Sequence, residues 1–174
     1  MKTFTIFMAL SGYERNLSDF RGWYFNSYNL NMRSPDALYL FPSRSIDKSL
    51  CPADIQTLQC FCEFPYETQS NKKALKKEMQ LKVLSRLEGI LGKFRDHVIF
   101  VDSATPSTME RYTLNKGGSA YGWEMSPEQT GAGRLQQVTP IKNLFLVGHW
   151  TIPGSGITAV SVSGWQLAKN LLNI

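Results

Sequence analysis

Side chains able to do chemistry are few in this 174-residue chain, and near its C-terminal end the backbone is better equipped than the side chains. Gly148 is followed by His149-Trp150-Thr151-Ile152-Pro153 and then by Gly154-Ser155-Gly156-Ile157. Glycines carry no Cβ, so a ligand can approach the main chain closely there. A helix starting just after them would turn its first N–H groups, with their partial positive charge, toward an electron-rich partner. A tight turn before a packed helix is the ordinary use of the same glycines. Two uses are open for His149, a contact with a cofactor or a hydrogen bond to the backbone. No paired carboxylates, no Ser-His-Asp set and no cysteine-histidine nucleophile stand out, so no catalytic residue is assigned. That pattern suits chemistry performed by a bound cofactor.

The phosphate-cradling signatures G-x-G-x-x-G and G-K-[ST] are absent from the sequence, so half of a dinucleotide site is not expected within it. Metal binding is not expected either. The cysteines Cys51, Cys60 and Cys62 leave an odd one over, the close pair is spaced C-x-C, and His97 and His149 are the other soft ligands. Such thiols fit a reducing compartment.

The loop needs a strand before it and a helix after it. Asn143-Leu144-Phe145-Leu146-Val147 is a continuous apolar run of the kind found in a doubly covered parallel strand. After the loop, Ile157, Val160, Ser161, Gly164, Ala168 and Leu171 fall on one apolar or small-residue helical face. The expected unit is strand, glycine-rich loop, helix.

Earlier segments read differently. Phe4, Ile6, Met8 and Leu10 alternate with Thr3, Thr5, Phe7 and Ala9, which predicts a strand rather than a signal peptide. The runs Gly22–Phe25, Leu38–Phe41 and Leu58–Cys62 lie between turn signals at Ser11-Gly12, Ser34-Pro35-Asp36, Phe41-Pro42-Ser43 and Cys51-Pro52, which argues for a mostly antiparallel sheet. Over residues 71–91 the period changes: Leu75, Met79, Val83, Leu87 and Leu91 recur every fourth residue, lysines take the other faces, and Gly92 marks the stop. His97–Val101 reads as a strand, and residues 103–140 are rich in turns.

Composition is that of a globular protein, with 43% hydrophobic, 12% aromatic and 19% charged residues, and no stretch is long and apolar enough to span a bilayer. Net charge is +5, and Asn71–Arg95 alone holds eight basic and two acidic residues, leaving −1 for the remainder. A solvated face is the usual meaning of such a helix. Attraction to anionic lipid headgroups through residues 72–86 is the functional alternative, and no nucleic-acid-binding motif accompanies the charges.

Three stretches together resemble a known family. Thr105-Pro106-Ser107-Thr108-Met109-Glu110-Arg111-Tyr112, Lys116-Gly117-Gly118-Ser119-Ala120-Tyr121-Gly122-Trp123-Glu124, and Thr139–Gly156 followed by Val162-Ser163-Gly164 are similar to the C-terminal third of the phytoene desaturase-related flavoproteins. These include carotenoid desaturases, carotene isomerases and ketolases, and retinol saturases. The match is strong over residues 95–174; residues 1–94 resemble the family's substrate domain in outline.

The resemblance implies an α+β chain. It would hold an antiparallel substrate-domain sheet with one amphipathic helix over residues 1–140, and over 141–174 the C-terminal strand-loop-helix of a discontinuous Rossmann-type FAD-binding domain. It implies a C-terminal portion of a longer FAD-dependent oxidoreductase acting on a carotenoid or other long apolar isoprenoid by hydride transfer to or from flavin. Gly148 and His149 would lie near the ribityl or pyrophosphate portion, and Pro153, Gly154, Ser155, Gly156 and Ile157 along the isoalloxazine edge. Tyr121, Trp123 and Trp150 would line a path for a polyene, although core packing is the ordinary use of such rings. A cytoplasmic protein, peripheral to a membrane and prone to self-association, is the accompanying expectation. The rival from another class is a non-catalytic α+β module that docks to a membrane or partner without cofactor.

Overall fold

The computed structural model describes residues 3–24, 37–64 and 72–173. Contacts divide the chain into two compact units, Lys2–Gly118 and Ser119–Ile174.

The first unit is built on a five-stranded sheet of β1 (Thr3–Ser11), β2 (Gly22–Tyr24), β3 (Leu38–Pro42), β4 (Ile55–Glu63) and β5 (Val98–Ala104). The strands lie in the order β2-β3-β4-β1-β5, and every neighbouring pair is antiparallel. Alternation along β1 puts Phe4, Ile6, Met8 and Leu10 into the core, where Leu38 and Leu40 of β3 and Leu58, Cys60 and Cys62 of β4 join them. Helix α1 (Lys72–Leu91) closes that core with Met79, Val83, Leu84, Leu87 and Leu91. Leu87 is fully buried, so Leu87→Ala would cost about 2–5 kcal/mol through lost transfer energy and a cavity.

The end of α1 is fastened from outside. Gly92 adopts φ +79°, the left-handed conformation that ends a helix, and the last carbonyl, Leu91 O, accepts from Tyr13 Oη (2.5 Å) and Arg15 Nη1 (2.7 Å).

The antiparallel sheet and the amphipathic helix therefore stand as the sequence predicts. Phe25, the Ser34-Pro35-Asp36 turn and Asn71 lie outside the described residues. One element was not anticipated: helix α2 (Pro106–Thr113) occupies part of the segment read as turns. The dipeptide Thr105-Pro106 is both a turn signal and a helix start. Thr105 Oγ1 accepts from Thr108 N (3.4 Å), Thr108 Oγ1 accepts from Thr105 N (3.1 Å), and proline fills the first turn, where no N–H is needed.

The second unit carries α3 (Ile157–Leu172), preceded by 3-10 turns at Pro127–Gln129 and Gly131–Gly133. The strand expected over Asn143–Val147 does not form. That run is held by a single antiparallel bridge, Val138↔Phe145, and by Leu146 N donating to Gln137 O (2.9 Å). A parallel strand needs hydrogen-bonded neighbours and cover on both faces, whereas Leu144 and Val147 are exposed. The face of α3 read as apolar is likewise on the surface: Ile157, Val160 and Leu171 are exposed, and the buried residue of the helix is Ser163. Among the described residues no helix is long and apolar enough to cross a membrane.

Candidate functional site

The loop Gly148–Gly156 takes its shape from backbone that few residues other than glycine adopt. Gly148, Gly154 and Gly156 have φ of +106°, +129° and +99°. Around Gly148 and Gly156 a Cβ would meet nothing within 4 Å, so the main chain there is open to close approach. Gly154 is different: it is buried, and a Cβ would sit 3.0 Å from Met125 Sδ and Cε.

Gly156 is the N-cap of α3, and no side chain caps the helix. The first intrahelical bond is Val160 N to Gly156 O (2.9 Å), so the amides of Ile157, Thr158 and Ala159 begin a 16-residue helix without an i−4 partner. Their partial positive charge favours an electron-rich neighbour. Ile157 itself is 90% exposed, Pro153 is exposed and Ser155 half-buried.

Two buried polar clusters hold this loop in place. Ser163 Oγ accepts from Gln137 Nε2 (3.0 Å) and from Gly148 N (3.3 Å) and lies 3.2 Å from Thr151 Oγ1. Gln137 Nε2 also donates to Ser163 O (2.5 Å), and Thr151 Oγ1 donates to Gly148 O (3.0 Å). On the other side Arg134, only 2% exposed, donates from Nε to Thr151 O (3.0 Å), from Nη2 to His149 O (2.5 Å) and from Nη1 to Gln129 O (3.1 Å). Arg134, Gln137 and Thr151 were not among the residues singled out from the sequence.

Gly133 lets two stretches of chain come together beside Arg134. A Cβ there would meet Glu128 O at 1.9 Å, so only glycine permits this approach of chain to chain.

His149 and the aromatic residues occupy the same unit. The Trp123 and Trp150 rings meet edge to face with centroids 5.7 Å apart, and His149 lies 5.3 Å from Trp150. Trp123 and Tyr121 are 42% and 44% exposed, so neither is a core residue in this unit. Gly122 fits beneath His149, where a Cβ would stand 2.8 Å from both Cδ2 and the carbonyl oxygen. His149 Nε2 is sealed from solvent and has no hydrogen-bond partner, an arrangement that costs about 1–3 kcal/mol. The open glycines and the uncapped helix start leave main-chain donors accessible to an electron-rich group beside the loop.

No family model matches the chain. Curated relatives named 4,4'-diaponeurosporene oxygenase are 28% identical over 137 residues in Staphylococcus haemolyticus (77% of this chain, 27% of the relative) and 26% identical in Staphylococcus aureus strain MW2 (77% and 28%). The chain thus spans little more than a quarter of the length of the curated relatives it matches. A solved structure described as an oxidoreductase from Methanosarcina mazei superposes with a TM-score of 0.52 over 97% of this chain and 34% of that one, at 17% identity, a likeness of fold. These relatives bear out the resemblance stated from the sequence.

Proposed function

We propose that the chain forms part of an FAD-dependent oxidoreductase of the phytoene desaturase type, acting on a carotenoid or other long apolar isoprenoid. The observation that carries this reading is the sequence similarity to proteins named 4,4'-diaponeurosporene oxygenase, in a chain whose glycine loop and helix start are open to a ligand. In this reading residues 1–140 belong to the substrate domain and residues 141–174 to the flavin domain.

When bound, FAD would supply the redox step, taking up or giving hydride at its flavin ring. This chain's residues would bind and orient. Gly148 and Gly156 would let the main chain approach the ring system, and the amides of Ile157, Thr158 and Ala159 would offer preorganised donors where negative charge develops on reduction. Thr151, Ser163 and Gln137 would keep those donors fixed. Tyr121, Trp123 and Trp150 would give rigid apolar contact to a polyene. The exposed Lys72, Lys73, Lys77 and Lys82 would bring a cytoplasmic protein to the membrane surface where such a substrate resides.

The test is flavin retention by the chain alone and by the chain completed with the remaining part of the Staphylococcus haemolyticus relative. Flavin is expected to stay with the completed protein, to be absent from the chain alone at micromolar concentration, and to be lost from the completed protein on Gly156→Asp. A folded, completed protein that purifies without flavin would refute the reading.

A further inference from the structure

Where β1 ends, the chain that follows it and the chain joining β3 to β4 border a cavity of about 680 Å³ that belongs wholly to the first unit. Small-ligand sites usually hold ~300–1,000 Å³. Both rims are pinned by a side chain that collects main-chain groups. On one, Gln56 donates from Nε2 to Tyr13 O (2.7 Å) and Arg15 O (2.8 Å) and accepts at Oε1 from Leu17 N (3.2 Å). On the other, Arg44 donates from Nη1 to Pro52 O and to Ile55 O (3.2 Å), and Gly12 N donates across to Asp54 O (3.4 Å). The opening is therefore preformed. Arg44 uses only Nη1 for this, and its Nε and Nη2 have no acceptor among the described residues. Glu14, Lys48 and Asp54 line the same cavity, all exposed, and among the described residues none of them forms an ion pair.

Two cations and two anions thus border one cavity without pairing with each other. A ligand of purely negative charge would meet Glu14 and Asp54, and one of purely positive charge would meet Arg44 and Lys48. A ligand bearing both signs finds a partner for each. The unused donors of Arg44 form a planar fork, the geometry that suits an oxyanion. A second cation, Lys48, matches the charge of roughly −1.5 to −2 on a phosphate monoester better than the single charge of a carboxylate. We infer that this cavity binds a small zwitterion, a phosphate ester that also carries an ammonium group, with Arg44 and Lys48 holding the phosphate and Glu14 and Asp54 the ammonium. The inference goes beyond the flavin reading and does not rest on it.

The probe is phosphoethanolamine, titrated into the isotope-labelled 174-residue chain and followed by its amide resonances, with inorganic phosphate and ethanolamine at matched ionic strength as controls that carry one sign of charge each. Shifts are expected at residues 12–17 and 44–57. Phosphoethanolamine should bind about fivefold more tightly than either control, the scale of one further ion pair at an exposed site. Glu14→Gln combined with Asp54→Asn should bind inorganic phosphate as before and lose that preference. Lys48→Gln should weaken phosphate and phosphoethanolamine alike. Arg44→Gln should do the same where it folds, and Lys48→Gln decides where it does not. Vesicles of phosphatidylethanolamine and phosphatidylcholine, uncharged overall so that the lysines of α1 contribute little, separate two sources of this chemistry. Pelleting that soluble phosphoethanolamine reverses identifies a lipid headgroup; pelleting that is absent or not reversed identifies a soluble ester. Four results overturn the inference: no shift at the cavity, phosphoethanolamine binding no tighter than inorganic phosphate, a double variant that keeps the preference, or a Lys48→Gln chain with both affinities unchanged.

Discussion

Replacing Ser163 by alanine removes the hydroxyl on which the loop and α3 are joined. Of the groups it serves, Gln137 Nε2 keeps its bond to Ser163 O, and Thr151 Oγ1 keeps its bond to Gly148 O. The Gly148 N–H loses the partner at 3.3 Å and gains none. One partly buried donor left unsatisfied costs about 1–3 kcal/mol, and the lost bond from Gln137 places the expectation near 2 kcal/mol. With a urea dependence of about 1–2 kcal/mol/M for so small a unit, the midpoint should fall by roughly 1–2 M. Trp123, Trp150 and Trp165 belong to this unit, so tryptophan fluorescence reports on it once Trp23 is changed to phenylalanine in every variant. Ser161→Ala, on the exposed side of the same helix, is the control and should change little. A loss under about 0.5 kcal/mol in Ser163→Ala, or an equal loss in the control, would refute the view that this hydroxyl anchors the loop.

Further expectations concern the first unit. Burial pushes the Cys60 thiol far above its ordinary value, and Cys62 is buried beside it, so a thiol reagent should modify Cys51 in the native chain and reach the other two only on unfolding; a native count of three would contradict this. The Asp102 carboxyl is held below the usual carboxylate range by the Ser103 N–H and then by Lys76. A carboxyl with a lowered folded value stabilises the fold above its unfolded value near 3.9 and loses that contribution as pH falls through the folded one. Asp102→Asn should therefore destabilise by at most about 1 kcal/mol at pH 7, the contribution being screened at this exposed site, and by nothing at strongly acid pH; a difference that grew on acidification would be the wrong sign. Changing Lys72, Lys73, Lys76 and Lys77 to glutamine should reduce pelleting with anionic vesicles, most at low salt, and equal pelleting would leave the helix with a solvated face only.

Period and breakers made the first unit readable. β1 shows strict alternation, α1 a four-residue repeat that ends at a glycine, and both patterns are local consequences of which face meets the core. Thr105-Pro106 misled because a turn and a helix start use the same residues for the same reason, a backbone N–H that needs no partner. Leu144–Val147 misled in another way. Apolar continuity states what a segment could be covered by, whereas strand formation depends on hydrogen-bonded neighbours that the segment does not itself encode. At the site, the glycines were legible because positive φ selects them. The contribution of Arg134 and Gln137 was not, because nothing in the spacing of a polar side chain says that it turns inward to collect carbonyls.

The place of β1 in the sheet bears on how the chain acquires its fold. Among the described strands it comes first in sequence yet lies inside the sheet, paired to β4 some fifty residues later and to β5 about ninety residues later. Neither partner exists when β1 emerges from the ribosome, and each pairing must close a long loop before any contact rewards it. Until α1 is made, Phe4, Ile6, Met8 and Leu10 lack the helix that covers their face, and until β5 is made β1 keeps an unpaired edge, features that chaperones recognise and that aggregation exploits. The polar joints around Gly148 span only three to twenty-six residues. Vectorial synthesis thus works against the sheet and with the loop: assembly of the first unit waits for its last strand, while the joints of the second close over short stretches of chain.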